Sequence, residues 1–378
     1  MRKNDSSGTT NKRFGVIRFT IYTFAVLLNG IVAICTLLGK AACFVNPLDH
    51  ILPSYLGLAF PYLVIANLLF LLFWIIKRKY YVALPILTLL ICYPETRRTF
   101  SIGHDVHAEG DTLSVMSYNV QMFEFFAPRK KNHILQLIEE VQPDILCIQE
   151  FGHSNLSDHL GEKDIQQSLY RLYPHHKFMG NDLSWNAEIG EAILSKHPIV
   201  RHGVINLEEN TGTKIKGVLY ADILFKGDTI RIINCHLESN RITENEKKTL
   251  QKIKAVSKED ANQVVNSVSN KMSVSYKNRA KQANIIHQQL IKECPLPIIL
   301  CGDFNDVPVS YAYQAIRGDK LLDAFEESAT GYGYTYNKQL FHFRIDQIMH
   351  SKEAKAIQFH VGDKDYSDHY PISCKIVF

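Results

Sequence analysis

The chain has 378 residues, of which 21% are charged, and a net charge of +4. That length has room for about two domains, and the composition excludes a low-complexity or collagen-like chain. The charge identifies no partner: Lys and Arg exceed Asp and Glu by only 42 to 38, and much of the excess sits in two clusters near the N-terminus.

Two long uncharged runs come first, over residues 19–39 and 51–76, the second containing "LVIANLLFLLFWII". A helix needs about 20 apolar residues to cross a hydrocarbon core of roughly 30 Å, and each run is that long. A single run of this kind is ordinarily a buried core helix. Two so close together, with Tyr and Trp at their ends, predict a membrane-embedded region. A cleaved signal sequence is a poorer account, because the first run exceeds an h-region, lacks an A-x-A-like site and is followed by a second span. A third uncharged stretch, 80–94, is shorter and contains Pro85. It either crosses with help from its flanks or lies in the interface. The N-terminal region is therefore residues 1–96, with two or three transmembrane helices at about 19–39, 53–76 and 80–95.

Basic residues set the expected orientation. Arg2, Lys3, Lys12, Arg13 and Arg18 precede the first span and Lys77, Arg78 and Lys79 follow the second, whereas the loop between them holds only Lys40 and Asp49. Both clusters belong in the cytoplasm. If the third stretch spans, everything after it faces outward; if not, it stays inside. The expected arrangement is a multi-pass inner-membrane protein with an outward-facing C-terminal domain and the lipid bilayer as its partner. No protein partner is indicated.

The polar stretch "ETRRTFSIGHDVHAEG" reads as a linker, assigned to 97–112, and a second domain runs over 113–378. Short strand patterns recur there: "LSVMSYNV", "DILCIQE", "EAILSK", "KGVLYADILF", "DTIRIINCHLES", "PIILCGDF", "RIDQIMHS" and "KAIQFHV". Helical patterns interrupt them, such as "RKKNHILQLIEEV" and "RAKQANIIHQQLIKE". The mixture predicts an α/β or α+β layered domain with helices covering sheet. Residues 240–276, polar and Lys-rich, look like an inserted helical excursion with a solvated face, or one lying against anionic lipid. The eight cysteines show no CxxC or zinc spacing, and Cys147, Cys235, Cys301 and Cys374 fall in apolar strands as small buried hydrophobes.

Several strands end on residues suited to phosphate and metal chemistry: Asn119 in "SYNVQMF", Glu150 in "CIQE", His236 in "NCHLES", Asp303 and Asn305 in "CGDFND", Asp346 in "RIDQI", and Asp368 and His369 in "YSDHYP". Singly, such residues are usually turn formers, caps or hydrogen-bonded core groups. As a set they supply hard oxygen ligands that suit Mg2+ or Mn2+ and lack the Cys and multiple His that zinc favours. Two imidazoles and a further Asp remain for proton transfer and for donating to a phosphoryl group under attack.

The motifs "SYNVQ", "PDILCIQE", "GEAILSKHPI", "NCHLES", "CGDFNDVP", "RIDQI" and "SDHYPI" follow the order found in the endonuclease/exonuclease/phosphatase superfamily. The chain from about Leu113 resembles that group of nucleases, inositol polyphosphate phosphatases and sphingomyelinases. The resemblance implies a four-layered α/β sandwich with two central, mostly antiparallel sheets. It also implies roles: Glu150 as the principal Mg2+ carboxylate (Mn2+ an alternative), Asn119 and Asp368 near the metal, and Asp303 handling the attacking water. Asn305 would contact phosphate, His369 would stabilise the pentacovalent phosphorus with Asp346 behind it, and His236 would be a second phosphate-facing histidine. Gln121 replaces a second acid of some abasic endonucleases, and Glu191 receives no role. The expected function is a membrane-anchored phosphoric ester hydrolase. An anchor favours a lipid-linked diester or pyrophosphate, as in similar three-span bacterial relatives linked to glycopeptide resistance that act at the outer face. A tethered nuclease is the alternative, and a non-catalytic binding platform the second one.

Overall fold

The structure is a computed structural model that describes residues 6–103, 109–124, 132–154, 162–183, 187–207, 217–253, 255, 257–337 and 342–378. Helix α1 (Ser6–Ala41) takes up the first apolar run, and its Arg18–Ala41 portion is long and apolar enough to cross a membrane. The second run, expected as one helix, is two: α2 (Leu52–Leu58) and α3 (Phe60–Ile76) meet at a 67° bend. Pro61 lies in the first turn of α3, where its missing N–H and ring stop the α2 hydrogen-bond ladder from continuing. The third stretch folds as a short helix α4 (Ala83–Ile91) followed by α5 (Tyr93–Thr99), with Pro94 again in a first turn.

Helices α1 and α3 run antiparallel, joined by buried polar pairs. Trp74 donates through Nε1 to Asn29 Oδ1 at 3.0 Å, and Asn67 through Nδ2 to Thr36 Oγ1 at 2.8 Å. At the α1 C-terminus, Lys40 donates to the Ile91 carbonyl at 2.8 Å and pairs with Glu95 at 2.9 Å, so α4 returns the chain to that end. The linker expected from residue 97 is tied down instead. Helix α5 continues to Thr99, and β1 (Ser101–Ile102) pairs antiparallel with β11 (Thr330–Gly331). Residues 104–108 of the expected linker lie outside the described residues.

The rest is two six-stranded sheets face to face. In the first, β13 (Lys355–Val361), β14 (Ile372–Val377), β2 (Thr112–Asn119), β3 (Ile145–Ser154), β5 (Ala187–Ser195) and β4 (His175–Leu183) lie side by side in that order. The second has β10 (Leu321–Asp323), β12 (Asp346–Ser351), β9 (Ile298–Asp303), β8 (Asp228–His236), β7 (Gly217–Phe225) and β6 (Ile199–Asn206). Each is antiparallel but for one central parallel pair, β2 with β3 and β8 with β9. Parallel neighbours need a crossover, which places helices on the outer faces. Helices α6 (His133–Val141) and α7 (Glu162–Leu172) cover the first sheet; α9 (Lys258–Ile286) and α10 (Tyr311–Arg317) cover the second, after a short, partly buried α8 (Glu244–Gln251) whose Glu246 pairs with Lys271 of α9. One further short helix, α11 (Ala324–Ser328), follows β10.

Burial explains the strand sequences. On β9, Ile299 and Cys301 enter the core between the sheets while Ile298 and Leu300 meet the helices, so the run is apolar throughout. Cys147, Cys235, Cys301 and Cys374 are all buried and free, as expected. This is the four-layered α/β sandwich that the family resemblance implies. The 240–276 excursion is helical, but its second part belongs to one unbroken α9 that continues to Ile286. The edge strands β4, β6 and β10 have no counterpart among the predicted strands; three β6 positions, Ile199, Gly203 and Ile205, are half-buried and the rest exposed, too little apolar alternation to stand out.

Candidate active site

The two parallel pairs end at one cleft. Register opposes Asn119 to Gln149 on β2 and β3, His236 to Asp303 on β8 and β9, and Asp346 to Asp303 across β12 and β9. Beneath the cleft, amides replace the apolar core. Gln149 donates through Nε2 to Asn234 Oδ1 at 2.7 Å across the two sheets, and Asn234 donates to the carbonyls of Ile148 and Ala192. Such a connected buried network fixes the sheets against each other where the catalytic side chains emerge. Gly302 precedes Asp303 with φ +152°, and a Cβ there would lie 1.9 Å from the Cys235 carbonyl oxygen, so only glycine fits.

Asp303 is the centre of the cluster. It is buried, with Oδ1 accepting from the Asn305 amide at 2.8 Å and Oδ2 from Asn119 Nδ2 at 3.1 Å. His369 Nε2 and His236 Nε2 each lie 3.6 Å from that Oδ2. Burial pushes the Asp303 carboxyl above the ordinary carboxylate range; His369 and His236 oppose the shift and Asp346 adds to it. His369 donates through Nδ1 to Asp346 Oδ2 at 2.8 Å. Burial alone would lower this imidazole, but Asp346 and then Asp303 outweigh it and raise the pKa to about 10, so the ring is cationic at neutral pH. Tyr336 meets the His369 ring edge to face at 5.3 Å, and Lys247 of α8 donates to the Tyr336 hydroxyl at 3.2 Å.

Asn305 adopts φ +50° and reaches back through Nδ2 to the Leu237 carbonyl at 3.1 Å, binding the loop after β9 to the loop after β8. Glu150 stands at the break in β3–β5 register between Ile148 and Phe151, with φ +52°. A bulge of this kind re-aims a side chain, here toward Asn119, whose Nδ2 lies 3.3 Å from Oε1. The structure thus brings together Asn119, Glu150, His236, Asp303, Asn305, Asp346 and His369. Asp368 is half-buried beside them, bonded to Ser367 Oγ at 3.4 Å, and among the described residues has no hydrogen bond to Asn119 or Glu150.

Glu191, given no role from sequence, belongs to this site. It is buried on β5 with Oε1 3.9 Å from His236 Nδ1. Burial raises its carboxyl to about 7, with His236 pulling it down and Glu150 pushing it up.

Two carboxylate groupings compete as metal holders. Asp303, Asp346 and His369 offer donor atoms within 4.8 Å of one another. That imidazole, however, gives one nitrogen to Asp346 and holds its proton tightly, whereas a metal ligand must be neutral. Glu150 is the better holder: among the described residues no basic side chain pairs with it, while Asn119 turns its Nδ2 toward Glu150 and accepts from the Gln121 N–H through Oδ1 at 3.1 Å. The residues present fit a hard divalent cation bound through oxygen.

A family model described as Endonuclease/Exonuclease/phosphatase family matches residues 116–369, and one for a domain of unknown function matches residues 21–99. Among solved structures, the endonuclease/exonuclease/phosphatase from Beutenbergia cavernae DSM 12333 is similar with a TM-score of 0.53 and 19% identity, over 71% of this chain and 72% of that one. An endonuclease/exonuclease/phosphatase family protein from Leptotrichia buccalis C-1013-b gives 0.50 and 18%, over 70% and 100%. At this identity both likenesses speak for the fold. No curated protein matches the chain.

Proposed function

Because the chain belongs to the endonuclease/exonuclease/phosphatase family, whose members hydrolyse phosphoric esters, we propose that it is a membrane-anchored hydrolase facing outward and acting on a lipid-linked phosphodiester or pyrophosphate. The observation that carries the anchor and its orientation is the polarity of the helical unit. At one end Arg18 and Lys79 lie over the Tyr22 ring, 5.7 and 5.5 Å from its centroid, with Trp74 against the same ring. At the other, Lys40 meets Ile91 and Glu95, and α2 and α5 dock on the catalytic domain. Arg18 and the Lys77, Arg78 and Lys79 cluster are therefore at the opposite end of the bundle from the catalytic domain, which supports a cytoplasmic N-terminus and an external active site. Helix α4 is about 14 Å long at 1.5 Å per residue and needs its flanking turns to complete the crossing. Large apolar side chains point away from the bundle, among them Phe19, Leu27, Ile34, Leu69 and Leu90, each more than half exposed, as lipid-facing residues would be.

Glu150 would hold the divalent ion, Mg2+ by preference and Mn2+ next, with the Asn119 amide orienting its carboxylate; when bound, the ion would supply positive charge to the phosphoryl oxygens. Asp303 accepts the proton of the attacking water as its oxygen bonds to phosphorus and the leaving-group oxygen departs. The His369 cation, held by Asp346, and His236, held by Glu191, donate to the non-bridging oxygens as charge gathers on them. Asn305, whose Nδ2 donates to the Leu237 carbonyl and to Asp303 Oδ2, sets the loop that flanks the phosphoryl group.

The test is hydrolysis by the full chain in lipid nanodiscs containing phosphodiester and pyrophosphate lipids, against plasmid DNA, with Mg2+ or EDTA and with Asp303→Asn as the blank. EDTA-sensitive release from lipid supports the reading. Nicking of plasmid alone overturns the lipid substrate and favours a tethered nuclease.

A further inference from the structure

The loops that carry the catalytic groups are clamped by a residue of α9 that the chemistry above leaves unused. Arg279 is 1% exposed and its guanidinium spans both loops: Nε meets Asp306 Oδ2 at 3.0 Å, and Nη1 meets the Glu238 carbonyl at 2.9 Å and Asn240 Oδ1 at 3.0 Å. Asp306 follows Asn305, and Glu238 follows Leu237, whose carbonyl holds the Asn305 amide and whose own N–H donates to the Asp303 carbonyl at 2.9 Å. The planar fork of Arg makes both connections at once, which a Lys ammonium on a flexible stem would not reproduce.

Arg279 is in turn held from the helical unit. Its guanidinium lies 4.7 Å from the centroid of the buried Tyr276 ring, and Tyr276 meets Tyr55 of α2 edge to face at 5.7 Å. The Tyr55 hydroxyl donates to the Ser269 carbonyl of the same helix α9 at 2.7 Å. Two residues on, Gly57 lies against Val309, where a Cβ would fall 2.3 Å from the carbonyl oxygen. Val309 follows the catalytic loop and is buried in one cluster with Cys43, Phe60, Val64 and Cys92 of the helical unit. Helix α2 thus meets α9 through Tyr55 and the chain just after the catalytic loop through Gly57, one on each partner of the Arg279–Asp306 pair.

We propose that Arg279 is a positioning residue for the loops bearing His236 and Asn305, and that α2 seats it, so that the apolar helical unit is a working part of the active site rather than a tether alone. This goes beyond the hydrolase reading and does not depend on which phosphoester is cleaved.

The full chain in detergent micelles is compared with Gly57→Val, which drives α2 off Val309, and with Arg279→Lys. Hydrogen exchange is followed by mass spectrometry on peptides covering 236–240 and 302–309, and turnover with bis(4-nitrophenyl) phosphate and Mg2+. Exchange in both peptides is expected to rise about tenfold, the size of a local opening made easier by one broken contact. Peptides from β14 and α6 stay unchanged, and kcat falls while KM moves little. Tyr55→Phe, which loses only the hydroxyl, shows the same pattern more weakly and serves if Gly57→Val does not fold. Loop protection equal to the parent in all three variants overturns the proposal. So does a rise spread evenly over both sheets, which would mark a purely structural role. The exchange readout stands even where this diester is not turned over.

Discussion

His369 and Asp346 are joined by a 2.8 Å hydrogen bond at Nδ1, which turns Nε2 toward Asp303 Oδ2, 3.6 Å away. One ring therefore separates two carboxylates and is held as a cation by both, with its pKa raised to about 10. The charged ring is present below that value and is lost as pH rises through it, so kcat should hold through neutral pH and decline on the alkaline side. Asp346→Asn removes the leading cause of the shift, and the alkaline limb should move to lower pH. His369→Gln should cost roughly 100-fold or more in kcat, within the range of a lost donor to the developing charge. An unshifted limb in Asp346→Asn would show that another group sets it. The same pair contributes stability below the unfolded-state value near 6.5, lost as pH climbs toward 10, and thermal melts across that window should show the decline.

Glu191 beside His236 gives an acidic counterpart. Its carboxyl, raised to about 7 by burial, is charged only above that value, and only then can it hold the His236 ring. Activity should therefore fall as pH drops through about 7, and Glu191→Gln should lower kcat about tenfold at pH 8 and flatten that limb. Stability runs the other way. An acid raised in the folded state binds protons there that the unfolded chain has released, so without metal the fold loses stability from about pH 4.5 to 7 as the proton leaves. Glu191→Gln should then melt higher than the parent at pH 8 in EDTA, and an equal or lower melt would contradict the burial argument.

How far the sequence discloses this site depends on the kind of residue. Asp303, Glu150 and His236 each close an apolar strand run, and a polar residue at such a boundary is visible without coordinates. Glu191 was missed because it stands inside a strand that reads as core, and its partner arrives from the other sheet through packing that no local pattern records. Sheet layered under helices was legible because strands buried on both faces must be apolar throughout, whereas the division into two sheets came only from the family resemblance. The break between α2 and α3 was not, since hydropathy counts composition and is blind to where Pro61 interrupts the hydrogen-bond ladder. The linker failed for a related reason: Arg97 and Arg98 look like solvent-facing charge, yet Arg98 is 8% exposed and bonds Gln314 at 3.1 Å.

Metal removal separates two carboxylates that sit in one cleft. EDTA should abolish turnover, and Glu150→Gln should raise the Mg2+ concentration needed for half-maximal activity about tenfold or more, since it removes the acid that no basic side chain among the described residues neutralises. Asp303→Asn should leave that concentration nearly unchanged and lower kcat at saturating metal, because its contacts are to amides and imidazoles. Were Asp303→Asn to change the metal dependence and Glu150→Gln to leave it alone, the holder would be the Asp303, Asp346 and His369 group instead.

Opposite ends of the helical unit give the last prediction. Lys77 is exposed at the end where Arg18 and Lys79 flank Tyr22, and Lys352 is exposed on the catalytic domain. In a background with Cys35→Ala and Cys294→Ala, the six remaining cysteines are buried and slow to react. A membrane-impermeant maleimide added to intact cells should label Lys352→Cys and leave Lys77→Cys unlabelled until the membrane is opened. The reverse pattern would put the catalytic domain inside and remove any lipid exposed only on the outer face from its reach. Labelling of both in intact cells would mean that the bundle does not cross the bilayer. The exposed Phe19, Leu27 and Leu69 would then have to be covered by something other than lipid, since apolar surface of that extent is costly in water.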